Sequence, residues 1–230
     1  MQKNTLIIGS SSKLSHALKK NLLKKKHNVY LTTSNAISTK KNYFYLDLND
    51  KSSLKKFLSS NQKTFSKINN VIIVSAIIFG KNEKEYTYEE IKKIIDINFI
   101  NSSVLIKSLL EQISIKIVPH IIFISSISAI RGSYDPYYAS SKNAMHAFLK
   151  SIHQNRSREF RFNIICPSLI LDTNMYKKMS KKNISKLKNK NPLKQIIKID
   201  DFTKIIVDLM SDHWISLNLK QLVLDLGETR

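Results

Sequence analysis

Short runs of consecutive apolar residues recur along this 230-residue chain, and they restrict its fold more than any other feature. Val71-Ile72-Ile73-Val74 and Ile121-Ile122-Phe123-Ile124 are the clearest. Each is too short for a helix and lacks the polar alternation of a strand with one wet face, so each reads as a strand buried on both faces, the condition of a parallel sheet. Strands are expected near 4–8, 28–32, 43–46, 71–76, 119–125, 162–166 and 221–225, and helices near 14–26, 50–60, 86–115, 137–158, 175–188 and 200–212. The alternation argues for an α/β fold: a doubly wound, mostly parallel sheet of about seven strands with helices on both faces. Ligands of such sheets sit in the crevice at the carboxyl ends of the strands, so residues just after a strand are the first site candidates. With 42% hydrophobic residues and neither an internal repeat nor a low-complexity linker, one domain over 1–230 is expected.

The most informative such place is IIFISSISAIRGSYDPYYASSK, Ile121 to Lys142. An apolar strand runs into Ser125-Ser126, a polar loop follows, and Tyr138 then precedes Lys142 by four at the start of a helix. That spacing puts both on one helical face, with Cβ atoms roughly 5–6 Å apart. An ammonium about 4 Å from a phenolate is worth roughly 4 kcal/mol at an effective dielectric of ~20, enough to draw the phenol pKa toward neutral. A bare Tyr-x-x-x-Lys is weak evidence in a chain with nine Tyr and 38 Lys plus Arg. Tyr88 and Lys92 repeat it in YTYEEIKKIIDIN, without a strand or serine turn before them, and read as a solvated face.

In that context the segment resembles the short-chain dehydrogenase/reductase family, and other marks follow in the family's order. LIIGSSSKLSHAL resembles its strand, glycine turn and helix; YFYLDL brings Asp47 to the end of the third strand; VIIVSAI stands where the family has Asn-Asn-Ala-Gly. Asn98 in IDINFINS, CPSLILDT and KQLVLDLGETR match the family's helix asparagine, its Pro-Gly loop with a downstream Thr, and its closing strand and turn. The resemblance implies a Rossmann-like three-layer sandwich and an NAD(P)-dependent oxidoreductase interconverting a carbonyl and a secondary alcohol. Tyr138 would be the general acid and base, Lys142 would lower its pKa and hold the nicotinamide ribose, and Ser126 would hydrogen-bond the carbonyl. Spacing to Tyr138 favours Ser125 for that last role, whereas the shape of Ile-Ser-Ser favours Ser126, which is assigned. Asn98 would kink its helix and hold a water linking Lys142 to solvent.

The resemblance also implies cofactor contacts from Gly9, Ser11, Ser12, Lys13, Leu14, Thr33, Ser34, Asp47, Leu48, Ser75, Ala76, Pro167 and Thr173, together with Tyr138 and Lys142. The phosphate turn departs most from the family. Only Gly9 remains of three glycines, with Lys13 and Ser15 in the later positions, while Ser75, Ile77 and Ser168 replace an Asn and two Gly elsewhere. A helix N-terminus still offers free N–H groups, and Ser10, Ser11, Ser12 and Lys13 add donors. The alternative is a catalytically silent family member that binds dinucleotide or a protein partner as a regulator. Strand 28–32 ends in Thr32, Thr33 and Ser34 with no acid for the ribose hydroxyls, which favours NADP over NAD.

A net charge of +21 attracts anionic partners, although Lys19, Lys20, Lys24, Lys25 and Lys26 read simply as a solvated helix end. Near 170–195, Lys177, Lys178, Lys181, Lys182, Lys186, Lys188 and Lys190 surround Met175, Met179, Ile184 and Leu187 at near-helical spacing, a Lys-rich lid over an anionic or carrier-bound substrate such as a 3-oxoacyl or sugar-type compound. No aromatic residues interleave with these lysines, so nucleic acid is not expected. Val71 to Phe79, the most apolar stretch, falls far short of the ~20 residues of a membrane helix. One cysteine, Cys166, excludes an internal disulfide framework, no metal site is expected, and with no cleavage-like N-terminal region a cytoplasmic location is the default. By family resemblance the helices near 86–115 and 137–158 would build a homodimer or homotetramer.

Overall fold

The computed structural model describes residues 2–35, 41–114, 116, 118–156 and 159–229. In chain order it runs β1 (Asn4–Ile8), α1 (Lys13–Lys24), β2 (Asn28–Thr33), β3 (Tyr43–Tyr45), α2 (Lys51–Ser60), α3 (Gln62–Phe65) and β4 (Asn70–Ile73). It continues through α4 (Tyr88–Ile95), α5 (Asn101–Gln112), β5 (His120–Ile124), α6 (Ser128–Arg131), α7 (Pro136–Arg156) and β6 (Arg161–Pro167). The last elements are α8 (Asn174–Lys178), α9 (Lys181–Lys190), α10 (Ile199–Leu209) and β7 (Lys220–Leu224). The strands form one sheet in the order β3-β2-β1-β4-β5-β6-β7, and every neighbouring pair is parallel.

The period-two geometry of a strand explains why these runs are apolar throughout. Leu6 and Ile8, Val71 and Ile73, Ile121 and Phe123, and Phe162 and Ile164 enter one core with α2, α3, α5 and α7. Their neighbours Ile7, Ile72, Ile122 and Ile165 enter the other, with α1 and α10. Both faces are therefore dry, and the strand ends become the wet edges of the sheet.

Three expected elements differ from those observed. β4 stops at Ile73 because Val74 N and Ser75 N both donate to Ile8 O, so two successive amides share one acceptor and the chain leaves the ladder. The expected helix 86–115 is split by a π-helical turn, Asp96–Ile100, between α4 and α5. The helix near 175–188 is two, because Met179 turns extended (ψ 140°) and Ser180 caps α9 through Asn183 N. The expected ends at 115 and 158 lie outside the described residues, and among those described no helix is long and apolar enough to cross a membrane.

At the amino ends of the strands His120 is buried, its Nε2 2.8 Å from the Asn163 side-chain amide, and desolvation lowers its pKa to about 3. The unfolded chain takes up this proton near 6.5, so between those values it binds more protons than the folded chain and stability falls as pH drops. Denaturant titrations at pH 6.5 and 5 should differ by about 2 kcal/mol from this group alone, and His120→Leu should flatten the dependence.

Candidate active site

The carboxyl edge of the sheet gathers the residues singled out in the sequence. α1 begins there because Ser12 is extended and its Oγ accepts Ser15 N at 3.1 Å, an N-cap. Gly9 holds φ +101°, and a Cβ on it would collide with Ser75 Oγ and lie 3.0 Å from Ser75 N, so only glycine fits against the end of β4. Ser15 is fully buried and its hydroxyl turns back to donate to Gly9 O, while Lys13 is exposed. The two side chains that replace glycines thus leave the mouth of the turn open. The N–H groups of Ser11, Ser12, Lys13 and Leu14 have no acceptor among the described residues, and no acid occupies the first turn of α1. Open amides and a positive helix end suit a pyrophosphate, so the residues present fit a dinucleotide.

Around this turn, Thr32 Oγ1 accepts Gly9 N, Thr33 Oγ1 accepts Asn35 N, and Ser34 is exposed. Asp47 follows β3 and accepts Asn49 N, and Leu48 is buried with its carbonyl held by Asn101 Nδ2. Ala76 is exposed beyond β4, Pro167 ends β6 and accepts Ile127 N, and Thr173 caps α8 through Tyr176 N.

Asn98 lies within the π-helical turn, 1% exposed. Its Oδ1 accepts Ile77 N at 2.8 Å, and its Nδ2 donates to Ile77 O at 2.9 Å and to Ser141 Oγ at 3.1 Å. The extra residue of a π-turn aims this amide at both the β4 loop and α7. A π-helical turn interrupts the helix at Asn98, and the side chain has spent its donors and acceptor on protein groups, so a water at this point would have to bind the main chain.

α7 starts on an Asp-Pro pair: Asp135 Oδ1 accepts Tyr138 N at 2.9 Å, and Pro136 needs no acceptor at the first helical position. Tyr138 and Lys142 point inward from it, 5% and 2% exposed. Burial pushes the Tyr138 phenol up to about 12; the Ser126 hydroxyl opposes this by hydrogen bonding, and the charge of Asp135 adds to it. Burial also pulls the Lys142 ammonium down to about 7. The expected ammonium–phenol pairing is absent. Lys142 Nζ donates instead to Ile124 O at 2.9 Å and rests 4.7 Å from the centre of the Phe123 ring, 6.0 Å from that of Tyr138. With no carboxylate to meet it, the lysine takes a carbonyl and a ring face, and desolvation outweighs the electrostatics foreseen from the spacing. Ser125 is buried with its hydroxyl on His146 Nε2, whereas Ser126 is half-buried and its Oγ accepts Ser128 N.

Sequence reasoning missed Asp135, Ser141 and His146. Asp-Pro before a helix was a readable start signal, and His146 repeats the four-residue step from Tyr138 through Lys142. A cleft of about 1000 Å³ lies at the other end of the sheet among Lys3, Lys25, Lys26, His27, Asp208 and Asp212. It touches none of the residues above, and its lysines sit at the carboxyl end of α1, where the helix dipole favours cations.

A family model described as Enoyl-(Acyl carrier protein) reductase matches residues 22–229. A short chain dehydrogenase family protein from Francisella tularensis subsp. tularensis SCHU S4 superposes with a TM-score of 0.87 at 22% identity, over 99% of each chain. Thermoplasma acidophilum aldohexose dehydrogenase, ligand-free, gives 0.85 at 21% identity over 99% of this chain and 94% of its own. 4-Hydroxyisoleucine dehydrogenase complexed with NADH gives 0.87 at 21% over 99% of each. No curated protein sequence matches.

Asn98→Ala removes the partner of both main-chain groups of Ile77 at once. Urea denaturation should show a loss of about 3 kcal/mol, since each buried polar group left unpaired costs about 1–3 kcal/mol.

Proposed function

Because the chain belongs to the short-chain dehydrogenase/reductase family of NAD(P)-dependent oxidoreductases, we propose that it interconverts a carbonyl and a secondary alcohol with NADP(H) preferred over NAD(H). Bound nicotinamide supplies or accepts the hydride. Tyr138 gives its phenolic proton to the carbonyl oxygen and takes it back in the reverse direction. Ser126 donates a hydrogen bond to the same oxygen, and Lys142 stabilises the tyrosinate as it forms. Asn98 keeps the β4 loop, with Ser75 and Ala76, braced against α7. The observation that carries this reading is the buried Tyr138 phenol beside the Ser126 hydroxyl, with Lys142 one helical turn further along. NADP is favoured because the end of β2 offers Thr33 and Ser34 and no acid, with Lys13 on the phosphate turn. The NADH-bound 4-hydroxyisoleucine dehydrogenase supports a dinucleotide on this fold.

The substrate in this reading is an anionic or carrier-bound carbonyl compound. Support comes from α8 and α9, where Met175, Met179, Ile184 and Leu187 are half-buried and Lys177, Lys178, Lys181, Lys182, Lys186, Lys188 and Lys190 are exposed, as a lid with one apolar side requires. We place the protein in the cytoplasm as a homodimer or homotetramer through the helices of 86–115 and α7, supported by exposed Ile100, just before α5, and Val104 on it. A second reading, a silent dinucleotide-binding regulator, draws on Lys13 and Ser15 in place of glycines.

NADPH fluorescence titration and a panel of carbonyl substrates separate these readings. NADPH should bind more tightly than NADH, and Tyr138→Phe should lower kcat by about 10²–10⁴ while NADPH binding persists. Tight NADPH binding with no turnover by the wild type favours the regulator. Charge reversal of Lys177, Lys178, Lys181 and Lys182 should raise KM at low ionic strength and much less at 1 M salt, where screening is complete within about 3 Å.

A further inference from the structure

Beneath the proposed catalytic residues lies an imidazole that the proposed reaction does not use. His146 is 3% exposed, on the face of α7 that carries Tyr138 and Lys142. Its Nε2 is 2.6 Å from Ser125 Oγ and 3.9 Å from Cys166 Sγ. Burial, aided by the charges of Lys150 and Lys142, lowers its pKa to about 4, so at neutral pH it is uncharged. Nε2 and the Ser125 hydroxyl therefore share one neutral hydrogen bond.

α7 therefore grips the end of β5 at two successive residues: Lys142 Nζ holds Ile124 O, and His146 holds Ser125 Oγ. These ties differ in what else is asked of them. In the proposed reaction Lys142 also serves the tyrosinate and the ribose, whereas His146 has no second task. We propose that His146 is a positioning residue which, by its hydrogen bond to the Ser125 hydroxyl, holds the Ser125-Ser126 turn at a fixed depth against α7, so that Ser126 and Tyr138 reach one carbonyl oxygen. The same bond occupies the Ser125 hydroxyl and leaves Ser126 as the serine free to meet substrate.

This inference rests on the carbonyl-reductase reading, and a double-mutant cycle tests the two separately. With the wild type active, His146→Leu and Ser125→Ala should each lower kcat about 10- to 100-fold, the scale of a roughly 1 Å misplacement, with KM and the NADPH dissociation constant unchanged. The double variant should be no worse than either single one, because both remove the same bond. His146→Gln, which keeps a donor and an acceptor, should recover most of kcat, while near-UV circular dichroism and Tm report folding. If His146→Leu does not fold, Ser125→Ala against His146→Gln carries the comparison. Variants as active as the wild type, losses that add in the double variant, or losses that follow Tm without rescue by Gln overturn the positioning role alone. A wild type that binds NADPH and reduces nothing overturns the catalytic reading and the positioning role with it.

Discussion

The central strands β1, β4, β5 and β6, packed against helices on both sides, meet water only at their ends, and that restriction decides where polar side chains can gather. Apolar side chains alternate between two cores along β1, β4, β5 and β6, so no polar group can work from a strand interior without a partner. The edges differ electrically. At the carboxyl edge the N-termini of α1 and α7 face outward, capped by Ser12 and Asp135. At the amino edge α1 and α10 end, and Lys3 pairs with Asp212 there. Anionic groups are favoured at the first edge by the sign of these dipoles.

Along that edge, buried polar groups join elements that the apolar cores alone would leave free to slide. Asn98 joins the β4 loop to α7 through Ile77 and Ser141, and Lys142 joins α7 to Ile124. The Lys142 bond is the costly one. An ammonium 2% exposed with only a carbonyl and the Phe123 ring for company loses most of its hydration, which is why its pKa falls to about 7.

Much of this was legible in the chain. Strand and helix positions follow the apolar runs within three residues, because period and burial are local properties of sequence. The failures have specific physical origins. The π-turn at Asp96–Ile100 has no period of its own and is visible only through what Asn98 reaches on other elements. The break at Met179 depends on two adjacent dihedral angles within a Lys-rich stretch of otherwise helical spacing. Tyr138 and Lys142 were correctly put on one helical face, yet their coupling was misjudged, since spacing says nothing about the carbonyl of Ile124 competing for the same ammonium. The surroundings of Ser125 and Ser126 differ in a way the sequence does not show, with His146 beside the first and Ser128 N on the second.

Asp135 has a consequence of its own. Besides capping α7 its Oδ2 accepts Gly80 N at 2.9 Å and the Tyr86 hydroxyl at 2.6 Å, and Tyr86 stacks edge-on with Phe79 and Tyr137. One carboxylate thus ties residues 79–86 to the first turn of the helix that carries Tyr138. Across from it α8 and α9 bury no residue fully. The two sides thus differ in how firmly they are tied to the sheet, and Tyr138 stands on the more firmly tied one.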